Sequence, residues 1–193
     1  MTNVRSERSA RGIRRKGPRF WVILAAGLIA LLGVSLSSTA ASAAVNRTGF
    51  GFNAGGIAGF PTGAVSLTGG GAFDLSTGFA HSGGGFRCTR GVSQGPLTGC
   101  ATGEGVRWDT AGLLSGAPFK CTGSAGEVLK NASTGEDTVA LLADFYRAGD
   151  GNNESFTAKM IVSAHDLAPD VGGLQNVWLQ GVGCGSATVH FSR

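Results

Sequence analysis

The sequence predicts a single all-β domain, an antiparallel β-barrel or β-sandwich with two disulfides, after a helical N-terminal signal segment. Three observations lead to this prediction. Short apolar runs with period-two alternation recur at intervals of about 8–12 residues and are separated by turn residues. The 193 residues include 34 glycines, which disfavour long helices because each interior glycine costs about 1 kcal/mol. Four cysteines are enough for two cross-links in a small domain.

Residues 1–43 have the pattern of a secretory signal peptide. Seven basic side chains at 5–19 precede an apolar run at 21–34, and the segment ends in Ala41-Ser42-Ala43, a small-residue cleavage pattern. The apolar run is shorter than the ~20 residues that span a bilayer as a helix. We therefore expect Sec-type export, a secreted extracellular product, and no stable membrane insertion after cleavage.

Most of the positive charge of the full chain belongs to this segment. The chain has 16 Lys+Arg, 12 Asp+Glu and a net charge of +4. Residues 44–193 retain nine basic and eleven acidic side chains, which gives a net charge of −2. A nucleic-acid binder needs clustered cations to displace counterions. The remaining cations are spread singly along the chain, so we expect no nucleic-acid partner.

All four cysteines follow the signal segment, and an even number in an oxidising compartment predicts two disulfides. The spacing alone leaves three pairings open. We favour Cys88–Cys100 with Cys121–Cys184, because the first pair brackets a turn that contains glycine and proline. Structural zinc sites typically use C-x2-C spacing, whereas the gaps here are 11, 20 and 62 residues. We therefore expect neither a metal site nor a cofactor.

The exported part divides into a glycine-rich leader at 44–63 and a β domain at 64–193. The leader lacks clear alternation, so we interpret it as irregular or as a loose first strand. In the β domain, glycine triplets at 69–71 and 83–85 flank the turn at 74–78 almost symmetrically. Two interpretations of the triplets stay open: a sharply bent corner of the sheet, or a surface that a ligand or another backbone approaches closely.

Further strands follow along the chain. A hairpin is predicted with strands at 139–146 and 156–163 around the turn at 148–153, because Asp-Gly between alternating runs is a strong hairpin signal. The last strands are expected at 177–182 and 187–191, with a bulge or turn between them. Such a succession of short strands is typical of an antiparallel barrel or sandwich.

Motifs for catalysis or metal binding are weak in this sequence. Gly91-Val92-Ser93-Gln94-Gly95 matches the nucleophile elbow of serine hydrolases, but Pro96 follows at once and no helix pattern comes next, although that motif requires a helix there. The string at 150–155 resembles the start of a calcium loop, yet it has serine at its sixth position, where glycine belongs. We propose no catalytic residue from these strings.

The stretch around Trp108 is the most chemically dense part of the chain. Glu104, Arg107 and Asp109 lie beside it, and a saccharide binder needs an aromatic platform with polar neighbours. Alternatively, Trp108 fills the core while Arg107 and Asp109 project the other way, as period two requires. Trp178 presents the same two alternatives. The candidate ligand-binding residues are therefore Glu104, Arg107, Trp108 and Trp178.

Five strings carry a family resemblance. They are LTGGGAFD at 67–74, GPLTGC at 95–100, GEGVRWD at 103–109, FYRAGDG at 145–151 and VGCG at 182–185. Together they resemble a group of small, functionally uncharacterised secreted proteins of actinobacteria. The resemblance implies export and a single domain, and it transfers no site residue. By architecture alone, the expected shape is also similar to small barrels of the allene oxide cyclase and lipocalin type, which does not establish function.

Three hypotheses on function follow. The leading one is a secreted, non-catalytic β domain that binds an unknown partner at or outside the cell envelope. The second is a small-ligand barrel whose cavity takes an apolar ligand, such as a lipid, or a saccharide. The third is an extracellular hydrolase or isomerase that uses Glu104, Asp109 or His165.

Overall fold

A computed structural model describes residues 46–146 and 155–193 of the chain. The chain separates into two units between Ser42 and Ala43, and the described residues belong to the second unit. The predicted signal segment and the predicted Asp-Gly turn lie outside the described residues. In the described ranges, no helix is long and apolar enough to cross a membrane.

The described residues form ten β-strands and no helix. In chain order the strands are β1 (Thr48–Gly59), β2 (Ala64–Asp74), β3 (Phe79–Arg90), β4 (Arg107–Leu114), β5 (Gly116–Phe119), β6 (Lys130–Ser133), β7 (Thr138–Tyr146), β8 (Ser155–Ser163), β9 (Val177–Leu179) and β10 (Gly183–Ser192). The prediction of an all-β fold is confirmed.

Eight of the strands close an antiparallel barrel in the order β1-β10-β9-β8-β7-β4-β3-β2. Strands β1 and β10 complete the circle, with pairs that run from Gly49–Ser192 to Gly59–Gly183. Of the two architectures that the sequence left open, the barrel is therefore the correct one. Closure removes the exposed edges that an open sheet would present to other chains.

Of the two interpretations of residues 44–63, the structure shows the strand. Thr48–Gly59 forms β1, a regular member of the barrel that pairs with β10 on one side and β2 on the other. A bulge between Ala54 and Ile57 shifts the register, and a bulge interrupts period-two alternation. The β domain therefore begins at Thr48 rather than at Ala64.

Apolar side chains fill the interior of the barrel. An eight-stranded barrel is just wide enough to be filled by its own side chains. The interior residues that are 3% exposed or less include Ile57, Val65, Leu67, Phe73, Phe86, Trp108, Leu141, Phe145, Met160 and Leu179. One end of the interior is covered by the 91–106 loop, whose Val92 and Leu97 are buried in the same cluster.

The β5–β6 sheet forms a second layer outside the barrel. Its Phe119 packs against Trp178 of β9 with 5.9 Å between ring centroids, and it belongs to a separate buried cluster with Ala140 and Ile161. The Cys121–Cys184 disulfide links the end of this sheet to β10. This layer covers the β7–β10 side of the barrel.

Both disulfides have the favoured pairing, Cys88–Cys100 and Cys121–Cys184. The first closes the 91–106 loop over one end of the barrel, and the second attaches the outer sheet. Two disulfides are compatible with an oxidising, extracellular location.

Candidate ligand-binding groove

Strands β3 and β4 separate part of the way along the barrel. Their ladder comprises three residue pairs, from Gly85–Arg107 to Gly83–Asp109. At the next position the side chains of Ser82 and Thr110 are hydrogen-bonded, and Thr110 Oγ1 also donates to the Ser82 carbonyl over 3.1 Å. Strand β4 then diverges through a bulge that follows Thr110. The wall of the barrel is therefore indented between these two strands.

The outer face of β3 carries no side chains along its middle. Phe86 points into the core, and successive side chains of a strand alternate between its faces. Positions 83 and 85 therefore face outward, and both are glycine. The result is a trough that runs from His81 to Arg87, a span of about 20 Å at the usual rise of a strand.

Two adjoining recesses lie along this trough, and we call them together the groove. The first has a volume of about 460 Å³ and is lined by Gly70, Gly71, Ala80, His81, Ser82, Gly83, Gly84, Arg107, Trp108, Asp109 and Thr110. The second has a volume of about 520 Å³ and is lined by Ser66, Leu67, Thr68, Gly85, Phe86, Arg87, Gly105 and Val106.

A guanidinium–carboxylate pair forms one wall of the groove. Arg107 Nε donates to Asp109 Oδ2 over 3.2 Å, and the Arg107 guanidinium carbon lies 4.6 Å from the centroid of the Tyr146 ring. The side chains of Arg107 and Asp109 are 58% and 51% exposed. Stacking on an aromatic ring fixes the guanidinium plane, so both charged groups stay presented to solvent in a defined orientation.

Polar atoms also border the glycine floor directly. A Cβ atom added to Gly83 would lie 2.9 Å from Asp109 Oδ1, and one added to Gly85 would lie 3.0 Å from Thr68 Oγ1. The carboxylate and the hydroxyl therefore occupy the space beside the bare backbone. The groove thus combines a narrow apolar floor of Cα atoms with a donor, an acceptor and a hydroxyl at its sides.

Trp108 lies beneath this floor, inside the barrel. Its side chain is fully buried, and its Nε1 donates to the Thr68 carbonyl over 2.9 Å. A Cβ atom on Gly69 would lie 2.6 Å from Trp108 Cζ2, so the indole occupies the space that this glycine leaves. Of the two alternatives for Trp108, the core is correct and the exposed platform is not, because the inward alternation of β4 directs the ring into the core.

The glycine triplets lie where neighbouring backbones approach each other closely. A Cβ atom on Gly70 would lie 2.5 Å from the Phe50 carbonyl oxygen, and one on Gly84 would collide with the Thr68 carbonyl. These contacts belong to a sharply coiled corner where neighbouring backbones approach each other. A Cβ atom on Gly83 would likewise meet a backbone oxygen, that of Trp108 at 2.9 Å, whereas one on Gly85 would meet only Thr68 Oγ1, at 3.0 Å.

The other two candidate residues lie apart from the groove lining. Trp178 is 4% exposed under the β5–β6 sheet, and its Nε1 donates to the Lys120 carbonyl over 2.8 Å, so it is not an exposed platform either. The Glu104 carboxylate accepts a hydrogen bond from the Ala101 N–H over 2.8 Å and shapes the 91–106 loop. The structure therefore brings together Arg107 and Trp108, but neither Glu104 nor Trp178 joins them.

His81 and Thr68 were missed as groove residues. Gly83 and Gly85 belong to the triplet that the sequence offered as a surface of close approach, and counting alternate positions back from the inward Phe86 places both on one outer face. The position of Thr68 beside Gly85 depends on the pairing of β2 with β3, which the sequence does not specify.

The nucleophile-elbow string at 91–95 has other surroundings, and the calcium-loop string at 150–155 lies outside the described residues except for its last position. Ser93 Oγ donates to Thr62 Oγ1 over 2.9 Å. His165 Nε2 lies 3.4 Å from Asp137 Oδ2 on the exposed surface. In residues 46–146 and 155–193, no group of three or more His, Cys, Asp or Glu side chains is placed to hold a metal ion.

Comparisons of the chain with protein-family models, with curated proteins and with solved structures found no match. What the structure defines is a class: a disulfide-linked, eight-stranded antiparallel barrel with a groove in its wall. The resemblance to secreted proteins of actinobacteria stays a prediction, as does the likeness to allene oxide cyclase and lipocalin barrels.

Proposed function

We propose that this protein is a secreted, non-catalytic binding domain, and that the groove on β2, β3 and β4 is its ligand site. The observation that carries the proposal is the bare floor of Gly83 and Gly85 beside the exposed Arg107–Asp109 pair. A concave surface with a few well-placed polar groups is the usual form of a ligand site.

The location outside the cytoplasm is supported by two independent features. Residues 1–43 have the pattern of a signal peptide. The two disulfides are of the kind that persists in oxidising compartments. Binding would therefore take place at the cell envelope or beyond it.

A site on the barrel wall is favoured over one in the lumen. Phe50, Phe52 and Trp108 meet in the interior, with ring centroids 6.4 Å and 6.1 Å apart, and these rings occupy the space that a lipid would need. The groove, in contrast, is open to solvent along its length.

Two pairs of polar groups in the groove favour binding over catalysis. The carboxylate of Asp109 is paired with Arg107, and the hydroxyls of Ser82 and Thr110 are paired with each other. A general base or nucleophile has to be within hydrogen-bond reach of a reacting group, and these groups are committed to one another. They can still orient a bound molecule.

An NMR titration of the ¹⁵N-labelled exported form tests the proposal. The probes are cellotetraose, chitotetraose, inorganic phosphate and laurate. We expect at least one of them to shift the amide signals of Gly83, Gly85 and Arg107 in a saturable way. If all four probes leave these signals in place, the groove is not a site for these classes and the proposal fails.

A Gly85→Val variant provides the matched test of location. Valine suits a strand, and its side chain would occupy the floor next to Thr68, so we expect the response to disappear. Gly126→Val is the control, because position 126 lies in the loop between β5 and β6 and an added Cβ meets nothing within 4 Å. An unchanged response in Gly85→Val would place the ligand elsewhere and contradict the proposal.

A further inference from the structure

We infer that the ligand of the groove carries a phosphate or sulfate group, which binds over Gly85 between the side chains of Arg87, Arg107 and Thr68. The inference rests on the proposed function, because it specifies the chemical class of the ligand for the same site. Three features support it: the charge of the groove, the open space over Gly85, and the hydrogen-bond donors around that space.

The groove is positively charged, although the exported part of the chain is acidic. The lining holds Arg87 and Arg107 against the single carboxylate of Asp109, which gives a net charge of +1 with His81 neutral. Residues 44–193 together carry a net charge of −2. A local excess of one charge in a recess raises the concentration of the opposite charge there. The groove therefore favours an anionic ligand.

Arg87 is the arginine whose charge the fold leaves unused. It is exposed on β3, and its guanidinium makes no hydrogen bond or ion pair with residues 46–146 and 155–193. The other arginines in these ranges each have a partner, in Phe79, Gly63, Asp109 and Glu136. The Arg87 guanidinium is thus available to a ligand without the loss of an existing contact.

The space over Gly85 is the open part of the groove floor. A Cβ atom added to Gly85 would meet only Thr68 Oγ1 within 4 Å, at 3.0 Å. At Gly83 the same position lies 2.9 Å from Asp109 Oδ1 and 2.9 Å from the Trp108 carbonyl oxygen, two acceptors that would repel an anion. Successive outward positions of a strand are about 7 Å apart. We therefore place the anion over Gly85 and not over Gly83.

Hydrogen-bond donors surround Gly85 on three sides. Arg107 is its cross-strand neighbour on β4, Arg87 is the next outward residue of β3, and the Thr68 hydroxyl lies on the β2 side. Both arginine Cα atoms are within about 7 Å of the Gly85 Cα atom, on the same face of the sheet. Their long side chains can therefore reach one group that lies above the glycine.

The ion pair with Asp109 leaves Arg107 able to bind an anion. Its Nε donates to Asp109 Oδ2 over 3.2 Å, which uses one of the five N–H donors of a guanidinium. The remaining donors suit the paired hydrogen bonds that arginine forms with phosphate. A phosphate offers three terminal oxygens and a carboxylate two, so three surrounding donor groups favour phosphate or sulfate.

An NMR titration of the ¹⁵N-labelled exported form with matched aromatic probes tests the inference. Phenyl phosphate and phenyl sulfate carry the proposed group, benzoate carries a carboxylate, and phenol is uncharged at pH 7. We expect phenyl phosphate, phenyl sulfate or both to shift the amide signals of Gly85 and Arg87 in a saturable way, and their relative affinity separates the two sources. Benzoate should bind about tenfold more weakly, because it lacks one charged acceptor, and phenol should leave the signals in place.

Three results of this titration would overturn the inference. The first is the absence of a response to both phenyl phosphate and phenyl sulfate. The second is a response to phenol of the same affinity, which would show that the phenyl ring and not the anion binds. The third is equal affinity for benzoate, which would contradict the preference for three acceptor oxygens.

Arg87→Gln is the matched test of the donors, because this replacement removes the charge without breaking a contact of the described fold. It should weaken binding of the tighter probe about tenfold. Lys159→Gln is the control: it makes the same change of charge on β8, outside the lining of the groove. Unchanged affinity in Arg87→Gln, or an equally large loss in the control, would overturn the assignment.

The two proposals can fail separately. If cellotetraose or chitotetraose shifts the groove signals, Gly85→Val abolishes that response, and neither phenyl phosphate nor phenyl sulfate binds, then the groove is a ligand site and only the anion inference is wrong. If Gly85→Val leaves the response to phenyl phosphate and phenyl sulfate intact, both the site and the inference are wrong.

Discussion

Glu127 anchors the loop between β5 and β6 through its carboxylate. The carboxylate accepts hydrogen bonds from the N–H groups of Cys121, Thr122 and Gly123 at 2.5, 2.7 and 3.1 Å, and from the Thr122 hydroxyl at 2.7 Å. Lys130 Nζ lies 3.2 Å from it. Burial raises the pKa of Glu127, but the hydrogen bonds from Thr122, Cys121 and Lys130 outweigh burial and lower the pKa to about 2.

Replacing Glu127 by Gln should lower the free energy of unfolding by about 2 kcal/mol at pH 7, since several charge-assisted hydrogen bonds are lost. A carboxyl whose pKa is lower in the folded state stabilises the fold above its ordinary pKa of 4.5. The stabilisation fades as the pH falls from about 4.5 toward 2. Urea unfolding at several pH values should therefore show the difference between wild type and variant narrowing over this interval.

Glu136→Gln provides the control for this measurement. Glu136 also has a basic partner, Arg193, but its side chain is 69% exposed, and exposed ion pairs contribute little to stability. We expect Glu136→Gln to change the free energy of unfolding by less than about 0.5 kcal/mol. A constant difference between wild type and Glu127→Gln from pH 7 to pH 2 would contradict the role given to the carboxylate.

At the level of single residues, alternation along one strand was predictable and contacts across the barrel were not. Period two allowed Arg107 and Asp109 to point outward with Trp108 inward. Whether Trp108 is a core residue or an exposed platform depended on Gly69. This glycine lies 39 positions earlier in the chain and leaves room for the indole ring. The bond from Trp108 to the Thr68 carbonyl likewise joins strands whose pairing the sequence leaves open.

At the level of elements, strands with regular alternation were predicted with near-correct bounds, whereas the interrupted strand β1 was left as one of two interpretations. Strands β7 and β8 lie where their apolar pattern placed them, with Thr138–Ser163 to Tyr146–Ser155 as paired residues. Strand β1 was predicted only as a loose strand, beside an irregular alternative, because glycines and a bulge before Ile57 obscure its period. The outer β5–β6 sheet was missed, since each strand has four residues, too few to show a period.

The two disulfides should differ in what they stabilise. Replacing Cys88 and Cys100 by alanine should cost about 3 kcal/mol, and replacing Cys121 and Cys184 about 4 kcal/mol, by the entropy of loop closure. The bridged residues are 12 and 63 positions apart. Closing the longer loop removes more conformational entropy from the unfolded chain and therefore stabilises the fold more. Urea unfolding of the two double variants measures both values.

Tryptophan emission distinguishes the two variants further. Cys121 and Cys184 fasten the β5–β6 sheet over Trp178, which is 4% exposed, so loss of this bridge should shift the emission to longer wavelength. Loss of Cys88–Cys100 should leave the emission unchanged, because that bridge closes the 91–106 loop. A red shift in the Cys88/Cys100 variant, alone or together with the Cys121/Cys184 variant, would show that the cover over Trp178 does not depend specifically on the Cys121–Cys184 disulfide.

At the level of the whole molecule, the barrel closes through β1, the strand with the least regular alternation in the sequence. Strand β1 joins β2 to β10 and supplies Phe50, Phe52 and Ile57 to the interior. The groove depends on closure as well, because Gly70 of its lining pairs with Gly51 of β1. The site on β2, β3 and β4 is therefore a property of the complete barrel, and not of an isolated hairpin.

Removing β1 should consequently abolish cooperative folding. A chain that begins at residue 60 would leave β2 and β10 as unpaired edges and expose apolar surface, a combination that favours aggregation. We expect a chain that begins at residue 46 to elute as a monomer in size-exclusion chromatography and to melt in one transition, as measured by circular dichroism. The shorter chain should aggregate or show no transition. If it instead melts cooperatively as a monomer, β1 is dispensable and the independent β domain begins near Ala64, where regular alternation first becomes visible in the sequence.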